Sequence, residues 1–275
     1  MSISKIENLL TRLCSLGSNK PQNLIFEAYT PYSHIMVQDN GDLRTLYFGN
    51  EDMEAETSIS LSNPLSPIFE YPGMMLLALT MSMQNYHILM LGLGGGFIPR
   101  LFQEFLPDHI LTVVEVDPVV AQVAEDFFFF KPGKNVELVI ADGLEYIASS
   151  PIGAFDQIWL DAFNGNYIPL HLTTKDFLEI CRLHLHQDGL LIQNLHENRK
   201  KDFWEQFNLT SDLFSRVPLI FRGTRTANMI AINFNSNSLH FSYPSDKMVF
   251  QNIKKMGTFI GQYNLLEEYQ KKVIL

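Results

Sequence analysis

Four short stretches, each directly following an apolar run, carry the residue types able to bind and react with a ligand. The first is Gly92-Leu93-Gly94-Gly95-Gly96, after Ile88-Leu89-Met90-Leu91. Glycines in that place let the chain turn tightly from strand to helix and let a ligand approach the backbone. A pyrophosphate-binding fingerprint needs a further glycine where Phe97 stands, so Gly92, Gly94 and Gly96 suit a nucleoside that lacks pyrophosphate. A purely structural glycine turn is the alternative. The second stretch ends at Glu115, about 20 residues beyond the glycines, where a carboxylate can accept both ribose hydroxyls. Asp117, just ahead of Pro118, reads instead as a helix cap.

The third stretch is Asp142-Gly143, after Val136-Glu137-Leu138-Val139-Ile140. Two readings of Asp142 stay open: acceptor for an adenine exocyclic amine, or cap of the helix that follows. Gly143 allows that helix to begin close to a base. The fourth is Asp161, which ends Phe155-Asp156-Gln157-Ile158-Trp159-Leu160 and opens a loop containing Asn164-Gly165. A carboxylate at the mouth of a sheet suits acid–base work or the positioning of an amine. A lysine-like amine has a pKa near ~10.4 and must lose a proton before it attacks. Asp161 is placed to orient such an amine and take that proton, and the loop beyond it can act as a lid.

The elements around these stretches predict the fold class. Apolar runs at 88–91, 111–116, 136–140 and 155–160 alternate with helical segments near 118–128 and 143–148. Such alternation implies a mostly parallel sheet with helices on both faces, and ligands bind at the carboxyl ends of its strands. A helix over roughly 69–83 leads in. Helices near 174–185 and 200–214 follow, with strands at 190–194, 217–221 and 228–234 and a helical segment over 246–275. Upstream, Ile6-Leu9-Leu10-Leu13-Cys14 has helical spacing. Short alternating runs between Leu24 and Ser62, with Asp39-Asn40-Gly41-Asp42 as a hairpin signal, predict a small antiparallel β unit. Asn63-Pro64-Leu65-Ser66-Pro67 marks a boundary, dividing the chain into 1–66 (helix and small β domain) and 67–275 (the α/β domain).

Bulk properties narrow the function classes. A net charge of −10 disfavours nucleic acid and anionic membrane as partners. The most apolar window, Met74 to Leu93, is interrupted by Gln84, Asn85 and His87, which argues against a membrane span. The N-terminus lacks the apolar core of a signal peptide, so a cytoplasmic location is expected. Cys14 and Cys181 read as reduced buried thiols, and the scattered His171, His184, His186 and His196 lack metal-ligand spacing, so no metal is expected. Phe127-Phe128-Phe129-Phe130 reads as core or subunit contact.

GxGxG, Val114-Glu115-Val116-Asp117, Ala141-Asp142-Gly143 and Trp159-Leu160-Asp161, in this order, resemble class I methyltransferase-like, Rossmann-like domains. With Glu27-Ala28-Tyr29-Thr30-Pro31-Tyr32, the β unit and Phe69-Glu70-Tyr71, the chain resembles the spermidine synthase family over roughly 24–235. The resemblance implies transfer of an aminopropyl group from decarboxylated S-adenosylmethionine to an amine such as putrescine, and a homodimer. It implies that residues 67–275 bind the S-adenosyl nucleoside, with Glu115 on the ribose, Asp142 at the adenine edge, Asp161 as acid–base residue and Tyr71 lining the amine pocket. Three positions depart from the family pattern: Gly95 and Asn164 stand where acidic residues are usual, and Tyr71-Pro72-Gly73 replaces Tyr-His-Glu. Asn164 is thereby a substrate-binding position that has lost its charge. The alternatives are a methyltransferase using intact S-adenosylmethionine and a non-catalytic nucleoside-binding homologue.

Overall fold

The computed structural model describes residues 23–49, 53–81, 87–163, 168–196, 200–214, 217–236, 245–255 and 273–274. The helix expected over 6–14, Cys14 and Asn164 lie outside the described residues.

Alternating polarity between 24 and 60 produces four antiparallel strands in sequence order, β1 (Leu24–Tyr29), β2 (His34–Asn40), β3 (Leu43–Phe48) and β4 (Glu54–Ser60). Asn40 pairs with Leu43 across a turn in which Gly41 has φ +61°, as the Asn-Gly signal required. β4 was not among the expected runs. Its sequence, Glu54-Ala55-Glu56-Thr57-Ser58, is polar over most of its length, and its pairing with β3 makes it a strand. One face of the small sheet, Ile35, Val37, Leu46, Phe48 and Ile59, is buried in the same apolar cluster as the helices that follow.

The larger sheet has the order β12-β10-β11-β9-β8-β5-β6-β7. Its parallel part is β5 (His87–Leu91), β6 (Ile110–Glu115), β7 (Val136–Ile140), β8 (Phe155–Leu160) and β9 (Leu185–His196). The remainder, β10 (Leu219–Arg222), β11 (Asn228–Phe234) and β12 (Val273–Ile274), pairs antiparallel. The expectation of helix over 246–275 therefore fails at Val273–Ile274, whose backbone is recruited by the edge strand β10.

Successive strand residues point to opposite faces, and the core divides accordingly. Ile88, Met90, Leu111, Val113, Trp159 and Ile192 pack with α1 (Tyr71–Leu76), α2 (Phe97–Phe105) and α3 (Pro118–Phe127). Leu89, Leu91, Val114, Ile158, Leu160 and Leu191 pack with α4 (Gly143–Ser149), α5 (Lys175–His184) and α6 (Lys200–Leu213). A further helix, α7 (Asp246–Lys255), places Val249 in the first cluster. The helix expected over 69–83 is shorter: α1 tightens into a 3-10 turn over Leu77–Thr80, where the buried Thr80 hydroxyl donates to the Leu77 carbonyl at 2.7 Å. Phe128 and Phe130 are core residues, whereas Phe129 is exposed at φ +60°.

The chain winds from β5 outward to β7, then returns to β8 on the other side of β5. A cleft opens where the direction of winding reverses, at the carboxyl ends of β5 and β8. Arg44 fixes the small sheet against the helical layer beside it. Its guanidinium donates twice to Asp39, at 2.8 Å each, and once to the Phe127 carbonyl at the end of α3, 3.1 Å away. Arg44→Ala is expected to lower stability by about 1–2 kcal/mol in urea unfolding, and Arg44→Lys to recover less than half, because an ammonium cannot fork.

Candidate active site

Backbone hydrogen bonds set the strand ends level. The Gly92 N–H donates to the Val114 carbonyl, the Ala141 N–H to the Glu115 carbonyl, and the Asp161 N–H to the Leu91 carbonyl, at 2.9–3.0 Å. Leu160 pairs with Gln193, so Asn194 falls beside Asp161. Gly92, Glu115, Asp142, Asp161 and Asn194 therefore emerge along one edge. Gly92 has φ +98°, and a Cβ there would lie 2.2 Å from the Asp161 carbonyl oxygen, so only glycine lets these two turns pass each other.

Glu115 is buried, and its two oxygens accept from the Leu93 N–H at 3.0 Å and the Asp117 N–H at 2.9 Å. It thus ties the glycine turn to the end of its own strand while lining the cavity. Burial, only partly offset by these N–H donors, pushes its carboxyl up to about 7. Asp117 is a cap, accepting from the Val119 N–H at 2.9 Å, and its other oxygen accepts from the Thr30 hydroxyl. Asp142 also caps its helix, with one oxygen on the Leu144 and Glu145 N–H groups. Its second oxygen meets His171 Nε2 at 2.9 Å, and both residues line the cavity. His171 reaches there from the segment after β8, so part of that segment already lies across the site.

Asp161 accepts from the Asn194 side-chain amide at 2.8 Å and from the Tyr71 hydroxyl. Asn228 donates to the Asn194 carbonyl oxygen at 3.0 Å, which turns the amide N–H groups of Asn194 toward Asp161. Burial pushes the Asp161 carboxyl up to about 7 despite both donors. A carboxyl so poised accepts a proton near neutral pH.

Two cavities meet at this residue. The larger, about 310 Å³, is lined by Gly92, Gly94, Glu115, Asp142, Gly143 and Asp161 among others. The smaller, about 210 Å³, lies beyond Asp161 and is lined by Glu54, Glu56, Asn194, His196 and Asn228. Glu56, Tyr71, Asp161 and Phe163 border both. The far wall of the smaller cavity, Thr226 to Asn228, follows a turn anchored on the buried Glu70, which accepts from the Thr224 and Arg225 N–H groups at 2.8 Å each.

The structure thus gathers Gly92, Gly94, Glu115, Asp142, Gly143, Tyr71 and Asp161 around one space. Gly96 stands apart: at φ +71° it starts α2, and a Cβ there would lie 2.7 Å from Phe130. At Gly95 a Cβ would lie 2.7 Å from the methyl of Thr57, whose hydroxyl accepts from the Gly95 N–H at 2.9 Å. Sequence reasoning missed Glu54, Glu56, Asn194 and Asn228. Asn194 had a signal, since it ends the strand run at 190–194 beside the one that ends at Asp161. Among the described residues no group of three or more His, Cys, Asp or Glu is arranged to hold a metal ion, and no helix is long and apolar enough to cross a membrane.

A mostly parallel sheet with this strand order, covered on both faces and opening a nucleoside-sized cleft at its switch point, defines a methyltransferase-type α/β transferase fold. Residues 69–254 match the spermine/spermidine synthase domain, and the chain belongs to that family of transferases. A polyamine aminopropyltransferase from Vibrio vulnificus is 35% identical over 73% of this chain and 69% of its own length. A human eEF1A lysine and N-terminal methyltransferase is 31% identical over 39% of this chain and 17% of its own length. Among solved structures, a probable spermidine synthase from Corynebacterium glutamicum superposes with a TM-score of 0.67 at 22% identity, covering 86% of this chain and 89% of that one, a likeness of fold alone.

Glu115 and Asp161 hold their protons more tightly in the folded chain than at their ordinary values of 4.5 and 3.8. The folded state therefore binds more protons than the unfolded state between those values and about 7, and stability falls as pH rises through that window. The ligand-free protein is expected to melt at a higher temperature near pH 5 than near pH 8. Asp161→Asn should reduce that difference; an unchanged difference in the variant would remove Asp161 as a source of it.

Proposed function

We propose that the protein transfers an aminopropyl group, as the name of the Vibrio vulnificus polyamine aminopropyltransferase suggests, and that it takes the group from decarboxylated S-adenosylmethionine to a small amine such as putrescine. The observation that carries this reading is the second cavity, which adjoins the nucleoside cleft at Asp161 and is lined by Glu54 and Glu56. Carboxylates around a small polar space favour a cationic occupant. In this reading the donor occupies the larger cavity, with its ribose hydroxyls on Glu115, its adenine edge at Asp142 and its sulfonium near the Gly92–Gly94 turn, and the lining of that cavity by all four residues supports it. Residues 1–66 and 67–275 form the two units of the enzyme in this reading, working in the cytoplasm as a homodimer.

The chemistry places Asp161 at the centre. An uncharged amine nitrogen attacks the carbon bonded to the sulfonium. The new N–C bond forms as the C–S bond breaks, its electron pair goes to sulfur, and methylthioadenosine leaves. The proton lost by the nitrogen passes to Asp161, whose orientation is held by Asn194 and Tyr71. A base raised to about 7 requires activity to climb with pH through that value.

Methyl transfer is the second reading, favoured by the human relative and by the lack of a side chain at Gly95 to hold a donor ammonium. Calorimetric titration with decarboxylated S-adenosylmethionine, the intact form and methylthioadenosine separates the two. Tighter binding of the decarboxylated donor is expected, and a preference for the intact donor would move the assignment to methyl transfer. Glu115→Ala is expected to weaken all three ligands by at least about tenfold, through loss of charge-assisted hydrogen bonds to the ribose. Asp161→Asn should leave donor affinity within about threefold while slowing turnover by about 10²–10⁴-fold. Turnover equal to that of the unsubstituted enzyme would take Asp161 out of the mechanism.

A further inference from the structure

The partition between the two cavities contains two carboxylates, Glu56 and Asp161. Asp161 is engaged by Asn194 and Tyr71 and stands where a proton must be received. Glu56 comes from β4, a strand of the small sheet, and Asp161 from the end of β8 in the large one. Its position follows from its neighbour. Thr57 is buried against the glycine turn, with its hydroxyl on the Gly95 N–H and its methyl in the space that any side chain at position 95 would need. Position 95 is closed to a carboxylate, whereas Glu56, the residue before Thr57 on β4, borders both cavities. Oε1 of Glu56 is itself buried, so its charge acts with little screening by water.

A donor seated with its ribose on Glu115 directs its sulfonium substituent away from the adenosine and toward this partition. In the decarboxylated donor that substituent ends in an ammonium alone; in the intact donor it carries a carboxylate as well. We propose that Glu56 receives the terminal ammonium of the donor chain and repels the carboxylate of the intact form, so that β4 supplies donor selection. The inference rests on the aminopropyl-transfer reading above. It makes Glu56 a donor-specificity residue and leaves the proton to Asp161. The acceptor amine is left to the remainder of the second cavity, with Glu54 on its outer side.

The test is the ratio of affinities for decarboxylated and intact S-adenosylmethionine, measured by calorimetry on the full chain, with methylthioadenosine as a ligand that has neither group. Glu56→Gln is expected to lower the ratio by at least about tenfold, to leave methylthioadenosine within about twofold, and to weaken the decarboxylated donor. Glu54→Gln should leave the ratio unchanged and raise the KM of the acceptor. An unchanged ratio in Glu56→Gln, with wild-type preference for the decarboxylated donor intact, overturns the assignment of Glu56 alone. Wild-type preference for the intact donor overturns the aminopropyl reading itself. A variant that raises only the acceptor KM gives Glu56 to the acceptor and also defeats the proposal. Should Glu56→Gln lose methylthioadenosine binding, Glu56→Asp replaces it: a shortened carboxylate must keep part of the preference, and its full retention or complete loss counts against a contact at that distance.

Discussion

Everything in this site depends on the level edge of the parallel sheet. Three backbone hydrogen bonds, from Gly92 to Val114, from Ala141 to Glu115 and from Asp161 to Leu91, bring neighbouring strands to an end at one height. Because side chains alternate along a strand, a slip of one residue would turn Glu115 or Asp161 into the apolar layer. The register is held by the buried rows on either face, Ile88, Met90, Leu111 and Val113 on one and Leu89, Leu91, Val114 and Leu160 on the other. Core packing and ligand geometry are thus one requirement met by the same strands.

The cost of that arrangement appears in the carboxylates. Glu115 and Asp161 are drawn out of water at the very edge that forms the cleft, and burial raises both toward neutrality. Backbone N–H groups and the Asn194 amide limit the penalty without abolishing it. Both carboxyls are thereby left able to take up or release a proton near neutral pH, at some cost in stability. Asp117 and Asp142 differ: each spends an oxygen on capping a helix, and that use is what a carboxylate ahead of a helix start offers.

Much of this was legible in the residues because the parallel strands are continuous apolar runs that end abruptly in glycine or carboxylate. Gly92, Glu115, Asp142 and Asp161 stood out for that reason. β4 was invisible because its residues are polar; it is a strand through pairing with β3 and through Thr57 meeting the glycine turn, both long-range facts. Glu54 and Glu56 were missed along with it. Asn194 was readable as a strand run but not as a partner of Asp161, since strand order is not written in any local pattern. Gly96 carries the right residue type for a ligand-facing turn, yet its job is to let Phe130 pack close.

The contact between Thr57 and Gly95 limits which substitutions each position can accept. The methyl of Thr57 fills the place of a side chain at 95, and Phe128 closes the same pocket from the far side, 3.0 Å from where a Cβ would stand. Neither position is therefore free to drift alone: an acidic residue at 95 becomes admissible only after the threonine has been exchanged for something smaller, and each order of events passes through an intermediate that is worse packed or worse hydrogen-bonded. Positions 57 and 95 are thus sterically coupled, so that the side chain tolerated at one is set by the side chain present at the other.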